Sequence, residues 1–88
     1  MTNEEILQTR ALLTALDRLD GGITAEALGA YVETATGRPL ATAERDLMLA
    51  RAVDRRFVRT YRNTILDRIL YAISDEGRVA LAGLGPLS

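Results

Sequence analysis

Apolar residues along this chain recur at two different spacings, and the change between them divides it. From Ile6 to Leu19 the spacing is helical. Arg10, Thr14 and Asp17 form a polar strip at steps of four and three, while Ile6, Leu12, Leu13, Leu16 and Leu19 cover much of the rest. Thr2 and Glu5 have capping-box spacing just before Ile6-Leu7, so a first helix is predicted from about 3 to 20. Its apolar face is wide enough for the centre of a core or for a dimer seam. Asp20-Gly21-Gly22 breaks it. Thr24 caps a second helix over about 25–36 that buries Ala27, Leu28, Tyr31 and Val32. Gly37 ends that helix and Pro39 prevents its continuation. Thr42 caps a third, over about 43–55, with Leu49, Ala52 and Val53 facing inward. Leu47 and Met48 fall near its outer side. They are core residues if the phase is shifted by one, or an exposed contact patch if it is not.

After the third helix the texture changes. Arg56-Phe57-Val58-Arg59-Thr60-Tyr61-Arg62 is rich in β-branched and aromatic residues, and so is the stretch from Ile65 to Ile73. In the second stretch Ile65, Ile69, Tyr71 and Ile73 share one face and Arg68 lies on the other. Arg62-Asn63-Thr64 reads as the turn of a β-hairpin, with Asn63 as a residue that tolerates positive φ. Tyr61 and Tyr71 read as hairpin core before stacking platforms. Ser74 caps a short last helix, with Asp75 and Glu76 in its first turn, ending near Ala82. Gly77 reads as a close-packing residue. Gly83, Gly85 and Pro86 make the end irregular. The expected organisation is one domain over 1–82 and an irregular tail over 83–88, in the class α+β.

Composition narrows the chemistry. With 88 residues, 48% hydrophobic and 26% charged, the chain suits one globular domain. It has no Cys and no His, which removes thiolate chemistry, the usual zinc ligands and the commonest general base. A carboxylate enzyme would need two acids converging. Only Glu44 and Asp46 stand close together on the third helix, and residues two apart point to different sides. No catalytic residue, metal ligand or cofactor is therefore expected. No apolar run spans a membrane, and the acidic start is unlike a signal peptide, so the cytoplasm is the expected location.

All eleven basic residues are Arg. A GC-rich genome explains that, as does selection for guanidinium forks on phosphates or carboxylates. The net charge of −1 hides an asymmetry. Residues 1–50 hold eight acids against four Arg, while 51–88 hold seven Arg against four acids, giving −4 and +3. Six of those seven Arg lie between 51 and 68. They form a solvated face, a nucleic-acid surface, or a surface for an acidic protein.

The order helix, helix, helix, hairpin, short helix is the winged-helix plan, and two motifs carry a resemblance. Arg56-Phe57-Val58 resembles the G-L-V that opens the wing in small bacterial regulators. Leu70-Tyr71-Ala72-Ile73-Ser74-Asp75-Glu76-Gly77-Arg78 is similar to the Y-Y-x-L-T-x-E-G-R that closes it. By element order the resemblance covers roughly residues 4–82, and in size and layout the chain resembles winged-helix proteins of Mu-like prophages. It implies a cytoplasmic transcriptional regulator that binds duplex DNA as a homodimer, with its third helix in the major groove and its wing on backbone or minor groove. Carried over by position, Thr42, Arg45, Met48 and Arg51 would contact DNA from the third helix. Arg59, Arg62, Asn63 and Arg68 would do so from the wing. Two departures stand out: Glu44 and Asp46 put acids on the reading helix, and Arg56 stands where that motif has glycine. The alternative is a protein-interaction module, homodimeric or with another protein, that keeps the fold without binding DNA.

Overall fold

The computed structural model describes residues 2–19 and 21–85. The chain folds as α1 (Asn3–Arg18), α2 (Ala25–Thr36), α3 (Thr42–Asp54), β1 (Val58–Asn63), β2 (Arg68–Ile73) and α4 (Asp75–Leu84). This is an α+β winged helix.

Three helix starts follow from their caps. Thr2, Thr24 and Ser74 accept hydrogen bonds from the backbone N–H groups of Glu5, Ala27 and Gly77. The third start departs from expectation. Ala41 holds the cap position without a side-chain bond, and Thr42 is the first helical residue. α1 ends at Arg18, earlier than predicted, and Gly21 and Gly22 continue the chain with φ of 104° and 98°. Asp20, the first residue of the predicted break, lies outside the described residues. Gly37 takes the left-handed conformation that closes α2.

α1 is the centre of the core. Ala11, Leu12, Leu13, Ala15 and Leu16 are all buried, as are Thr9 and Thr14. The wide apolar face thus serves the interior, and of the expected polar strip Thr14 is buried, Arg10 half-buried and Asp17 exposed. Thr14 returns its hydroxyl to the Arg10 carbonyl, and Arg10 Nε donates to the carbonyl of Gly85 at 2.9 Å. A guanidinium thereby closes the C-terminal end of α4, where orphan carbonyls favour a cation. That contact helps carry α4 through Gly83 to Leu84, beyond the predicted end. Only Gly85 of the expected tail is described outside the helix, and Pro86, Leu87 and Ser88 lie outside the described residues.

Leu28 and Val32 of α2, Leu49 and Ala52 of α3, Val58 and Ile73 of the hairpin and Leu81 of α4 complete the interior. Ala27 and Leu19, both expected inside, are exposed, and Val53 is exposed where Met48 is buried. Ile23 adds a short third edge to the sheet. Its N–H and carbonyl exchange hydrogen bonds with Tyr71 at 2.9 and 2.8 Å. Among the described residues no helix is long and apolar enough to cross a membrane.

Candidate nucleic-acid interface

The hairpin forms as expected, but its turn lies further along. Strands run 58–63 and 68–73, with Asn63 paired to Arg68, so residues 64–67 make the connection. Asn63 closes β1 without positive φ. Its Oδ1 accepts the backbone N–H groups of Ile65 and Leu66, both at 3.0 Å, which ties down the turn. Asp67 supplies the positive φ, at 50°. Ile65 is 92% exposed and Leu66 58%, so the tip presents aliphatic side chains to solvent, with Ile69 exposed beside them. Leu70 and Ile73 are the buried apolar residues of this stretch, whereas Ile65 and Ile69 are exposed.

The register decides which wing side chains act together. Opposed residues share a face: Arg59 with Ala72, Tyr61 with Leu70, Asn63 with Arg68. Thr60 with Tyr71 and Arg62 with Ile69 belong to the other face. Arg59 and Arg68 therefore project from one side of the wing and Arg62 from the opposite side. Arg62 is bonded to the Asp67 carboxylate. Among the described residues Arg59 and Arg68 are exposed and hold no ion pair.

The base of the wing adds a cation that the sequence reading left out of the site. Arg56 is exposed, without an ion pair among the described residues, and has φ of 64°. The glycine that the resembling motif has here suits that conformation, because a Cβ is disfavoured in the left-handed region. Ser74 Oγ donates to the Arg56 carbonyl and Ser74 N–H to the Phe57 carbonyl, holding both ends of the wing together. On the Arg59 face, Tyr61 donates its hydroxyl to the Gly21 carbonyl and covers Gly22. Tyr71 is half-buried against the core. Both tyrosines are structural, and Tyr61 keeps an exposed edge.

α3 offers less than its sequence promised. Met48 is only 7% exposed and packs in the core, so it is removed from the reading surface. The apolar residues at 47, 48, 49, 52 and 53 fit two helical phases. The structure takes the one that buries Met48 and exposes Leu47 and Val53. The Arg45 side chain lies along Gly29 of α2 and pairs with Asp46 at 3.1 Å. Arg51 turns toward α1, where Glu5 lies 3.6 Å away, and Arg55 shares that carboxylate at 3.9 Å. Thr42 is exposed at the start of the helix. Toward the wing, Asp46, Leu49, Ala50, Val53 and Asp54 form a groove with Thr60 and Tyr71. Glu44 and Asp54 hold no ion pair among the described residues. The expected eight residues thus divide. Arg59, Arg68 and Asn63 share one wing face, Arg59 near its base and the other two at its tip, and Arg62 stands behind them. Arg45 and Arg51 are engaged by acids, Thr42 stands alone, and Met48 is interior.

Comparison with solved structures supports the fold. The chain is similar to RosR of H. salinarum, with a TM-score of 0.73 and 19% identity over 94% of this chain and 69% of that one. It is similar to PcaV of Streptomyces coelicolor, described as a transcriptional regulator in complex with its natural ligand, with a TM-score of 0.73 and 22% identity. That match covers 97% of this chain but 53% of PcaV, so the chain spans about half its length. F-93 of SSV1 is similar with a TM-score of 0.64 and 17% identity, over 86% of this chain and 80% of that one. No protein-family model matches the sequence. No curated protein matches it either.

Proposed function

We propose that this chain is a DNA-binding winged-helix transcriptional regulator of bacterial or prophage type, acting in the cytoplasm as a homodimer, and that it holds duplex DNA chiefly by its wing. The observation that carries the reading is the pairing of Arg59 and Arg68 on one exposed face without counter-ions. They stand near opposite ends of the strands, since Arg59 and Asn63 are four residues apart, about 13 Å. Arg56 extends the positive stripe to the wing base. The described function of PcaV, on the same fold, supports the same reading. No enzymatic step is part of it.

The contribution of α3 is small in this reading. Glu44, Asp46 and Asp54 are exposed on α3, and carboxylates accept usefully only from a cytosine amine. Thr42 and, beyond Glu5, Arg51 remain available for backbone contacts. Affinity is then mostly sequence-independent and salt-dependent. Three phosphate contacts per wing correspond to a slope of about −2.7 in log K against log salt, and two wings to about −5.

A gel-shift titration with random duplex DNA at two salt concentrations tests this. Retention at low salt and a steep fall with salt support it. Absence of any shift at low salt overturns it in favour of a second reading, a protein-interaction module. The exposed acids and Leu47 on α3 favour that second reading.

A further inference from the structure

We infer that the wing tip is an apolar wedge for the minor groove of duplex DNA, which it enters at a flexible base step and opens. This rests on the DNA-binding function proposed above and deepens it, because cations alone leave the aliphatic tip without a role. Ile65 and Leu66 are the central residues of the connection between the strands, and they are 92% and 58% exposed. Neither side chain can donate or accept a hydrogen bond, so neither can read a base edge or hold a phosphate. The backbone N–H groups of the same two residues are taken by Asn63 Oδ1, so these donors are not offered to a phosphate either. What the tip presents is aliphatic bulk, fixed before a partner arrives, so that docking orders little new backbone. Such side chains act on DNA by entering between base pairs from the minor groove and partly unstacking them.

Dimensions and charge fit that partner. Ile65 and Leu66 each lie two residues beyond the last strand pair, Asn63 with Arg68, a reach of up to about 7 Å. The minor groove is about 7.5 Å deep. With the tip at its floor, Arg68 stands at the rim among the phosphates, and it holds no ion pair among the described residues. Arg62, already bonded to Asp67, is not required. Arg59 lies about 13 Å further back on the face of Arg68, and Arg56 lies behind it at the wing base. Cations set that far behind a tip reach phosphates only on a partner with depth. A duplex has it, whereas a flat lipid surface meets the tip and one unpaired Arg. The groove is only about 6 Å wide and the two strands are about 5 Å apart before side chains are added, so entry requires it to open. Pyrimidine–purine steps yield most easily to that deformation.

The test uses the intact chain and two duplexes of equal length. One has a central TA step with 2-aminopurine in place of its adenine. The other pairs a purine-only strand with its complement and so has no pyrimidine–purine step. The unchanged chain should bind the first roughly tenfold more tightly and raise its 2-aminopurine fluorescence as the bases unstack. Ile65→Ser with Leu66→Ser should remove both effects, and because both side chains are exposed the fold should survive the change. The salt slope should stay the same, since no cation is lost. Steep salt dependence with flat fluorescence and equal affinities keeps the DNA-binding function and overturns the wedge. A double variant that retains the preference and the fluorescence rise overturns it as well. Failure of the unchanged chain to retain either duplex at low salt overturns both. Binding to phosphatidylglycerol vesicles that the double variant loses, with no fluorescence rise on DNA, assigns the tip to lipid and overturns the wedge.

Discussion

Gly77 lies directly under the carbonyl of Phe57. A Cβ at position 77 would stand 2.1 Å from that oxygen and 2.8 Å from Ile73 Cγ1. Phe57 immediately precedes β1 and Gly77 lies in the first turn of α4, so this contact seats the wing on the last helix. Backbone cannot yield as a flexible side chain can. Gly77→Ala is expected to destabilise the fold by about 3 kcal/mol, read as a lower urea midpoint with unchanged slope. A change within about 0.5 kcal/mol would show that the two elements separate freely.

Arg56 holds a left-handed conformation with a side chain that makes it unfavourable. Arg56→Gly should therefore stabilise the domain, by about 0.5–1 kcal/mol after the extra freedom of glycine in the unfolded chain is subtracted. The same change removes a wing cation. Thermal unfolding should move up while DNA retention moves down, and a fall in both would contradict the conformational account.

Ser74 joins two functions in one hydroxyl. Its Oγ accepts the Gly77 N–H at 2.9 Å as the cap of α4 and donates to the Arg56 carbonyl, and the residue is buried. Ser74→Ala loses the cap and leaves that carbonyl without its partner, an expected loss of about 2 kcal/mol. Ser74→Thr keeps the hydroxyl and matches the resembling motif, so it should recover most of the stability. Equal losses in both variants would point to packing as the cause.

Much of this architecture was legible because its signals are local. Thr2, Thr24 and Ser74 announce helix starts within three residues, and Gly37 an end, so four helices and a hairpin follow in order. The hairpin turn was misplaced because Ile65 and Leu66 have strand-forming side chains but occupy the connection. Asn63 serves the turn by the other route open to Asn, bonding forward from the strand end in place of a positive φ. The phase of α3 was ambiguous for a similar reason, since six of the seven residues from 47 to 53 are apolar and fit two faces. What sequence could not supply is the distant pairing. Glu5 taking Arg51 and Arg55, and Arg10 closing α4 from α1, depend on how the helices meet. Of the candidate site, Arg51 is lost to such a distant pairing, Met48 to the phase of α3, and Arg45 and Arg62 to acids near them in sequence.

The wing arginines should not be equivalent in DNA binding. Arg59 and Arg68 share a face and have no acid on them, whereas Arg62 points the other way and is bonded to Asp67. Freeing Arg62 for a phosphate means breaking an exposed pair worth up to about 1 kcal/mol, and Asp67 stays nearby to repel the same phosphate. Arg59→Ala and Arg68→Ala should each lower affinity for random duplex and flatten the salt slope by about 0.9, one phosphate contact apiece. Arg62→Ala should change the slope by much less, because little net charge reaches the DNA from that pair. Asp67→Asn supplies the reciprocal check: with the acid neutralised, Arg62 is released and affinity should rise at low salt. If Arg62→Ala instead flattens the slope as much as the other two, phosphates approach the wing from the α3 side. The acids of the groove would then lie under the DNA backbone, and the surface assigned to Arg59 and Arg68 would be the wrong one.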